Sequence, residues 1–147
     1  MTSSYKKIHI IADANSTAQS AKRLIAKKYK NFPINDSDVL VVLGGDGFML
    51  ASLKKYQKYQ LPFYGMNKGN RGFLLNKFDE KDLINKINKS KIAELHPLEM
   101  YARNKNGKVK TAIAVNEVSV FRETRQAAKL EIKIDNKIRM KEVTCDG

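Results

Sequence analysis

One stretch early in the chain limits the possible folds more than any other. An uninterrupted apolar run at residues 39–43 leads directly into Gly44, Gly45, Asp46 and Gly47. A short, continuous run of Val and Leu is typical of a strand that is buried on both faces, as strands are in parallel α/β sheets. The sequence therefore predicts an α/β domain with a parallel, Rossmann-like sheet.

The turn after this strand, residues 44–47, is a candidate phosphate site, and we call it the glycine tetrad. Gly44, Gly45 and Gly47 have no Cβ, so the backbone can approach a phosphate closely, and Asp46 is the side chain that offers chemistry. Apolar residues then recur at helical spacing, at Met49, Leu53 and Tyr56. This spacing predicts a helix that begins near Gly47 with its free N–H groups facing the turn. Spacing alone does not separate a phosphate site from ordinary turn chemistry.

The elements around the tetrad predict where a ligand would bind. Residues 7–12 form a β-rich run, and the segment after it has a helical apolar face made by Ala18, Ala21, Ile25 and Tyr29. A third strand is expected at residues 61–66. This order of strands and helices predicts parallel strands with right-handed crossovers. Ligands of such sheets bind beyond the carboxyl ends of the strands, where Asp46 lies.

A second glycine-containing segment, residues 67–74, follows the third predicted strand. Gly69 and Gly72 repeat the small-residue character of the tetrad, and Phe73 offers an aromatic face on which a flat base could stack. For an isolated phenylalanine, a position in the core is the favoured explanation. The residues alone therefore leave two interpretations of Phe73.

The sequence pattern changes near residue 90. Before it, Asp79 is predicted to cap a short helix with an inward stripe of Leu83, Ile84 and Ile87. After it, apolar and polar residues alternate in the manner of antiparallel strands, at 98–103, 109–121, 130–134 and 138–140, with turns at 104–107 and 135–137. We expect an α/β domain at residues 1–90 and part of an antiparallel β-sandwich domain at 91–147.

Asn116 and Glu117 interrupt the second of these predicted strands. Adjacent residues of a strand point to opposite faces, so at least one of the two is either paired inside the protein or exposed to a ligand. The pattern alone favours a Glu117 that faces solvent.

Composition limits the classes of partner. Lys and Arg outnumber Asp and Glu by 28 to 15, a net charge of +13 that attracts anions. The basic residues are scattered and lack the aromatic interleaving of a base-stacking surface, so we expect no specific nucleic-acid partner. One cysteine, Cys145, and two distant histidines give no metal-ligand cluster, and we name no metal ligand. Without a long apolar run or a signal-peptide pattern, we expect a cytoplasmic protein with no membrane partner.

Three motifs carry a resemblance to a known family. The glycine tetrad after a hydrophobic strand resembles the signature of the NAD kinases and of their relatives, the diacylglycerol-type lipid kinases and phosphofructokinases. It is not a Walker loop, which requires G-K-[ST]. Residues 69–74 are similar to the Gly-x-x-Gly-Phe-Leu element of NAD kinases. The Asn116–Glu117 pair lies some 70 residues after Asp46, as in NAD kinases, whereas in the lipid kinases Asn-Glu follows the tetrad almost at once.

The chain thus resembles the N-terminal portion of a bacterial-type, ATP-dependent NAD kinase. This resemblance implies transfer of the γ-phosphoryl group of ATP, with Mg²⁺ or another divalent cation, to the 2′-hydroxyl of the adenosine ribose of NAD, giving NADP. Phosphoryl transfer depends mainly on alignment and charge compensation. The resemblance leaves open whether polyphosphate replaces ATP and whether NADH replaces NAD.

The resemblance also implies a role for each candidate site residue. Asp46 would orient the 2′-hydroxyl and accept its proton, and Asp46→Asn is then expected to abolish turnover while NAD binding stays largely intact. The remaining residues would contact the ligands: Gly44, Gly45 and Gly47 the phosphates, Phe73 the adenine, and Asn116 with Glu117 the ribose hydroxyls. Asp146 matches a position that reaches the NAD site of a neighbouring subunit, which implies a homo-oligomer, either a dimer or a tetramer.

The chain departs from the family pattern in two places. Phe48 stands where the family usually has threonine, and Asp146–Gly147 resembles the opening of a family segment that the sequence does not continue. We therefore expect a chain that is truncated relative to typical members. Two alternatives stay open: a non-catalytic nucleotide-binding fragment of such an enzyme, and a relative of the diacylglycerol-type lipid kinases.

Overall fold

The structure is a computed structural model that describes residues 4–69 and 72–147. The chain divides into two compact units, Met1–Leu95 and His96–Gly147. The sequence prediction places the change of pattern near residue 90. Each unit is described by itself.

The first unit is a four-stranded parallel sheet with helices, as predicted for an α/β domain. Its strands are β1 (Ile8–Ala12), β2 (Val39–Gly44), β3 (Phe63–Asn67) and the unpredicted two-residue β4 (Asn76–Lys77), adjacent in that order. Its helices are α1 (Ser16–Ala26), α2 (Asp46–Tyr56) and α3 (Leu83–Lys89), with 3-10 turns at Ile34–Asp36 and Gln57–Tyr59. None of the helices in the described residues is long and apolar enough to cross a membrane.

Strand β2 is the centre of this unit. All six of its residues are buried, which confirms the prediction of a strand covered on both faces. Val41 and Leu43 pack into one apolar cluster with Ile25 of α1, while Leu40 and Val42 pack into a second cluster with Met49 of α2. Alternate residues of a strand face opposite sides, so one apolar run supplies both clusters.

Helix α1 has a side-chain cap, and helix α2 begins close to where the sequence predicts. The Asn15 side chain accepts a 2.8 Å hydrogen bond from the N–H of Ala18 and so caps α1. Ala18, Ala21 and Ile25 are buried, as their spacing predicts. Helix α2 starts at Asp46 with Gly45 as its N-cap residue, within one residue of the predicted start.

The predicted cap of the third helix is wrong. Helix α3 begins at Leu83, and the residue before it, Asp82, has a left-handed backbone with φ of 52°. Asp79 instead accepts a 2.9 Å hydrogen bond from the N–H of Lys81 and pairs with the ammonium of Lys86. The hydrogen bond from Lys86, and then that from Lys81, lower the pKa of Asp79. The inward stripe is correct for Leu83 and Ile87, which are buried.

The outer edge of β1 is covered by the chain that follows α1. The N–H of Ile10 donates to Oδ1 of Asn31 at 2.8 Å, and the N–H of Phe32 donates to the carbonyl of Ile8 at 3.0 Å. Nδ1 of His9 lies 2.7 Å from the carbonyl oxygen of Phe32. These contacts satisfy backbone groups that an edge strand would otherwise leave open to another chain.

The second unit contains two antiparallel hairpins, in agreement with the predicted antiparallel class. The first joins β5 (Leu98–Arg103) to β6 (Val109–Ala114), and the second joins β7 (Ala128–Ile134) to β8 (Lys137–Cys145). Gly107 turns the first hairpin with φ of 79°, and Asp135 and Asn136 turn the second with φ of 51° and 61°. Both turns are where the sequence predicts them.

The predicted strand at residues 109–121 is too long. Strand β6 ends at Ala114, and a bend follows at residues 115–116. A β-branched, alternating pattern is compatible with a strand but needs a paired neighbour to become one. Within this unit, the described partner of β6 is β5, whose ladder ends at Leu98 opposite Ala114.

Candidate functional site

Two turns meet at the carboxyl edge of the parallel sheet. Gly44, the last residue of β2, is in register with Asn67, the last residue of β3. The N–H of Lys68 then donates a 2.8 Å hydrogen bond to the carbonyl of Gly44. The glycine tetrad and the turn after β3 therefore lie side by side, at the edge where ligands of parallel sheets bind.

The carboxylate of Asp46 joins the tetrad to the end of the segment 67–74. Asp46 is partly buried in the first turn of α2, where the helix dipole favours a negative charge. Its Oδ2 accepts a 2.7 Å hydrogen bond from the N–H of Phe73, and its Oδ1 accepts a 3.1 Å hydrogen bond from the N–H of Leu74. An ionised carboxylate has about four acceptor positions, so each oxygen can accept a further hydrogen bond.

The ring of Phe73 projects into solvent. Its residue is 95% exposed, although its backbone is held by Asp46. The alternative in which Phe73 is a core residue is therefore wrong. An exposed ring with an anchored backbone leaves an aromatic face available to a ligand, and stacking on a base stays a prediction.

The three glycines of the tetrad have different surroundings. A Cβ on Gly44 would lie 2.9 Å from Cδ1 of Phe48, and a Cβ on Gly45 would lie 4.0 Å from the Cα of Gly69. A Cβ on Gly47 would have no heavy atom of the described residues within 4 Å, apart from its chain neighbours and its own helix turn. Packing thus accounts for a small residue at Gly44, whereas the space beside Gly47 is open to a ligand.

Asn67 is a further residue of the site that was not singled out from the sequence, and it lies beside Gly72. Asn67 is partly buried, and its Oδ1 accepts a 2.7 Å hydrogen bond from the N–H of Gly69. A Cβ on Gly72 would lie 3.1 Å from Oδ1 of Asp46 and 3.2 Å from Nδ2 of Asn67, so Gly72 fits closely against both side chains. An asparagine directly after a buried strand is the signal that could have pointed to Asn67.

The first turn of α1 lies against the same edge. Oγ1 of Thr17 lies 3.1 Å from the carbonyl oxygen of Lys68 and 2.6 Å from Oδ1 of Asn15. The N-terminal ends of α1 and α2 therefore both point to the carboxyl edge of the sheet. Their dipoles make this edge favourable for anions.

The other predicted site residues belong to the second unit. The residues Asn116 and Glu117 are exposed at the bend after β6. Oδ1 of Asp146 forms a 2.6 Å ion pair with Nε of Arg122, and the N–H of Arg122 donates to the carbonyl of Asp146 at 2.9 Å. Participation of these three residues in one site with Asp46 stays a prediction.

Comparison with known proteins supplies a family context. Residues 3–95 match the family model described as ATP-NAD kinase N-terminal domain. The chain is 47% identical over 130 residues to the NAD kinase of Caulobacter vibrioides, an alignment that covers 88% of this chain and 50% of that protein. It is 40% identical over 141 residues to the NAD kinase of Rickettsia bellii, covering 96% and 55%, and 41% identical to that of Rickettsia peacockii. The chain thus spans about half the length of the curated relatives it matches.

Proposed function

We propose, on the premise that this chain belongs to the ATP-NAD kinase N-terminal domain family, that it acts in ATP-dependent phosphorylation of NAD. The γ-phosphoryl group of ATP would pass to the 2′-hydroxyl of the adenosine ribose, giving NADP and ADP. The observation that carries this proposal is the position of Asp46, which lies at the carboxyl edge of the sheet with both oxygens directed at the Phe73 segment.

Asp46 would act as the base of the reaction. The 2′-oxygen forms a bond to the γ-phosphorus, the bond from that phosphorus to the β,γ-bridging oxygen breaks, and the 2′-hydroxyl proton passes to the carboxylate. A carboxylate within hydrogen-bond distance of the hydroxyl is sufficient for this role. Among the described residues each oxygen accepts one hydrogen bond, which supports the proposal, because the bonds from Phe73 and Leu74 need not break.

The phosphates of ATP would bind at the start of α2. The open space beside Gly47 and the free N–H groups of the first helical turn suit an anion. Mg²⁺ or another divalent cation would arrive as part of the ATP complex. Because Mg²⁺ commonly keeps several waters and binds the substrate phosphates, we assign it no ligand from this chain. Groups of three or more His, Cys, Asp or Glu that could hold a metal are absent from the described residues.

The remaining candidates would complete the NAD site. Phe73 would stack on the adenine, and Asn116 and Glu117 would bind ribose hydroxyls. Asp146 would reach the site of a neighbouring subunit in a homo-oligomer. We place this activity in the cytoplasm, where ATP and NAD are available together.

The test is an assay of NADP formed by the 147-residue chain supplied with ATP, Mg²⁺ and NAD. Wild type should form NADP, Asp46→Asn should not, and Asp36→Asn, a change of an exposed aspartate in the 3-10 turn before β2, should behave as wild type. Full turnover by Asp46→Asn would remove Asp46 from the mechanism.

The same assay separates the alternatives. A chain that binds NAD without forming NADP would act as a nucleotide-binding fragment. Phosphorylation of diacylglycerol in place of NAD would indicate a lipid kinase. Either result would overturn the proposed reaction.

A further inference from the structure

The hydrogen bonds of Asp46 point to a role that differs from proton transfer. Two consecutive backbone N–H groups, those of Phe73 and Leu74, donate to the two oxygens of one carboxylate, at 2.7 and 3.1 Å. Hydrogen bonds to an ionised acceptor are roughly twice as strong as bonds between neutral groups. The carboxylate therefore fixes the backbone that carries the Phe73 ring.

Asn67 supports the same backbone from the neighbouring strand. Its Oδ1 accepts a hydrogen bond from the N–H of Gly69, and a Cβ on Gly72 would lie 3.2 Å from its Nδ2 and 3.1 Å from Oδ1 of Asp46. Asp46 begins α2 and Asn67 ends β3, and both positions are set by the packed sheet. Two rigid elements thus hold the backbone on both sides of the aromatic residue.

The fixed backbone leaves the ring itself free. Phe73 is 95% exposed, so its side chain has little packing of its own to define its position. The hydrogen bond from its N–H to Asp46 then ties this residue to the folded unit through its backbone. A ligand that stacks on the ring would depend on this bond for its placement.

We infer that Asp46 and Asn67 are positioning residues for Phe73. The carboxylate of Asp46 would then both fix the ring on which adenine stacks and meet the 2′-hydroxyl. This inference rests on the proposed function for the identity of the ligand. Adenine and the 2′-hydroxyl belong to the same nucleoside. If Asp46 both anchors the Phe73 ring and accepts the hydroxyl proton, these two contacts with the nucleoside keep a fixed distance from each other. The family resemblance alone implies that Asp46→Asn leaves NAD binding largely intact. The positioning role predicts instead that Asp46→Asn weakens NAD binding as well as turnover, because an amide offers one acceptor oxygen where the carboxylate offers two.

The first test needs no nucleotide. Amide hydrogen exchange of Phe73 and Leu74 should accelerate by about tenfold in Asp46→Asn, because both N–H groups lose a charged acceptor. Asn67→Ala should accelerate exchange at Gly69. Asn76→Ala is the matched control, since the Asn76 side chain likewise bonds the backbone of this sheet, through Nδ2, which donates to the carbonyl of Gly65 at 3.1 Å. Unchanged exchange at Phe73 in Asp46→Asn would overturn the inference, and this measurement stands even if Asn67→Ala fails to fold.

The second test is a double-mutant cycle on NAD affinity. Asp46→Asn and Asn67→Ala should each raise the dissociation constant of NAD by about five- to tenfold, as expected for a lost hydrogen bond. In a Phe73→Ala background, Asn67→Ala should have an effect within about twofold, because the ring through which it acts is gone, and Asp46→Asn should keep only the part of its effect that comes from its own contact with the ribose. Equal effects in both backgrounds would overturn the inference.

The two proposals fail in different ways. If the chain forms no NADP, the proposed reaction fails while the exchange result still decides whether Asp46 anchors Phe73. If exchange is unchanged but NADP is formed, the positioning role fails and the reaction stands.

Discussion

Gly45 and Gly69, at the ends of neighbouring strands, approach so closely that a Cβ on Gly69 would lie 3.2 Å from the Cα of Gly45. Two backbones in contact leave no room for a side chain between them, which accounts for glycine at Gly69. Gly47 has no such explanation, because a Cβ there would meet open space among the described residues. The difference separates glycines that the fold requires from one that a ligand would require.

Gly47→Ala should therefore fold normally and lose activity. Gly47 lies in the first turn of α2 and has space for a methyl group, so alanine should raise the free energy of unfolding by up to about 1 kcal/mol. If ATP phosphates occupy this space, the same methyl group blocks them. Urea unfolding and an assay of NADP formation would measure the two effects.

Gly44→Ala is the matched control for this change. Its Cβ would lie 2.9 Å from the Phe48 ring, so it should lower the free energy of unfolding instead. Normal turnover by Gly47→Ala would show that phosphates do not use the space beside Gly47.

Asn116→Ala and Glu117→Gln should impair ligand binding without affecting the fold. Both residues are exposed, and exposed substitutions change stability by about 0.5 kcal/mol or less. If they bind ribose hydroxyls, each should weaken NAD binding by about tenfold, as loss of a hydrogen bond to the ligand does. Calorimetric titration with NAD and thermal unfolding would separate the two effects, and unchanged affinity in both variants would exclude them from the site.

Asp38 should make the stability of the first unit dependent on pH. Its Oδ2 accepts hydrogen bonds from the N–H groups of Lys6 and Lys7, at 2.9 and 2.8 Å, and these bonds lower the pKa of the carboxyl. A pKa below the unfolded value means that the stabilisation is complete above about pH 4 and is lost as the pH falls through the folded-state pKa. Asp38→Asn should therefore cost about 1 kcal/mol at pH 7 and progressively less on acidification.

Urea unfolding of wild type and Asp38→Asn between pH 3 and 7 would measure this dependence. Asp36→Asn, in the same loop and exposed, should leave the free energy of unfolding within about 0.5 kcal/mol of wild type. A pH-independent difference between wild type and Asp38→Asn would contradict the electrostatic explanation.

Gly65 should tolerate a side chain only if Leu75, which lies against it, is replaced by a smaller residue. A Cβ on Gly65, which is buried in β3, would overlap Cδ2 of Leu75. Gly65→Ala should therefore lower the free energy of unfolding by about 1 to 3 kcal/mol. In a Leu75→Ala background the same change should cost less, because the overlapping methyl group is absent, and strict additivity of the two changes in urea unfolding would argue against this contact.

Much of the first unit could be predicted because its elements have strong periodic patterns. The run at residues 39–43 fits a strand covered on both faces, and the spacing of Ala18, Ala21 and Ile25 fits one face of a helix. The position of Asp46 at the carboxyl edge follows from the parallel topology. At these residues the local sequence pattern favours the same element that tertiary packing requires, so the element can be predicted from the sequence.

The contacts that complete the site could not be predicted. The bonds from Phe73 and Leu74 to Asp46 span 27 and 28 residues and depend on the path of a turn, which periodicity does not report. The start of α3 depends on a left-handed residue, Asp82, that carries a side chain and gives no glycine signal. The end of β6 at Ala114 depends on the extent of its partner strand.

Because Asn31 and Phe32 cover the outer edge of β1, the two edges of the sheet differ in how readily another strand could pair with them. The N–H of Ile10 already donates to Oδ1 of Asn31, and the carbonyl of Ile8 already accepts from the N–H of Phe32. A strand from another molecule could therefore not pair with these two groups. Self-association in which two copies pair along β1 would first have to displace both the Asn31 side chain and the Phe32 backbone, whereas pairing beyond Asn76 and Lys77 of β4 would not.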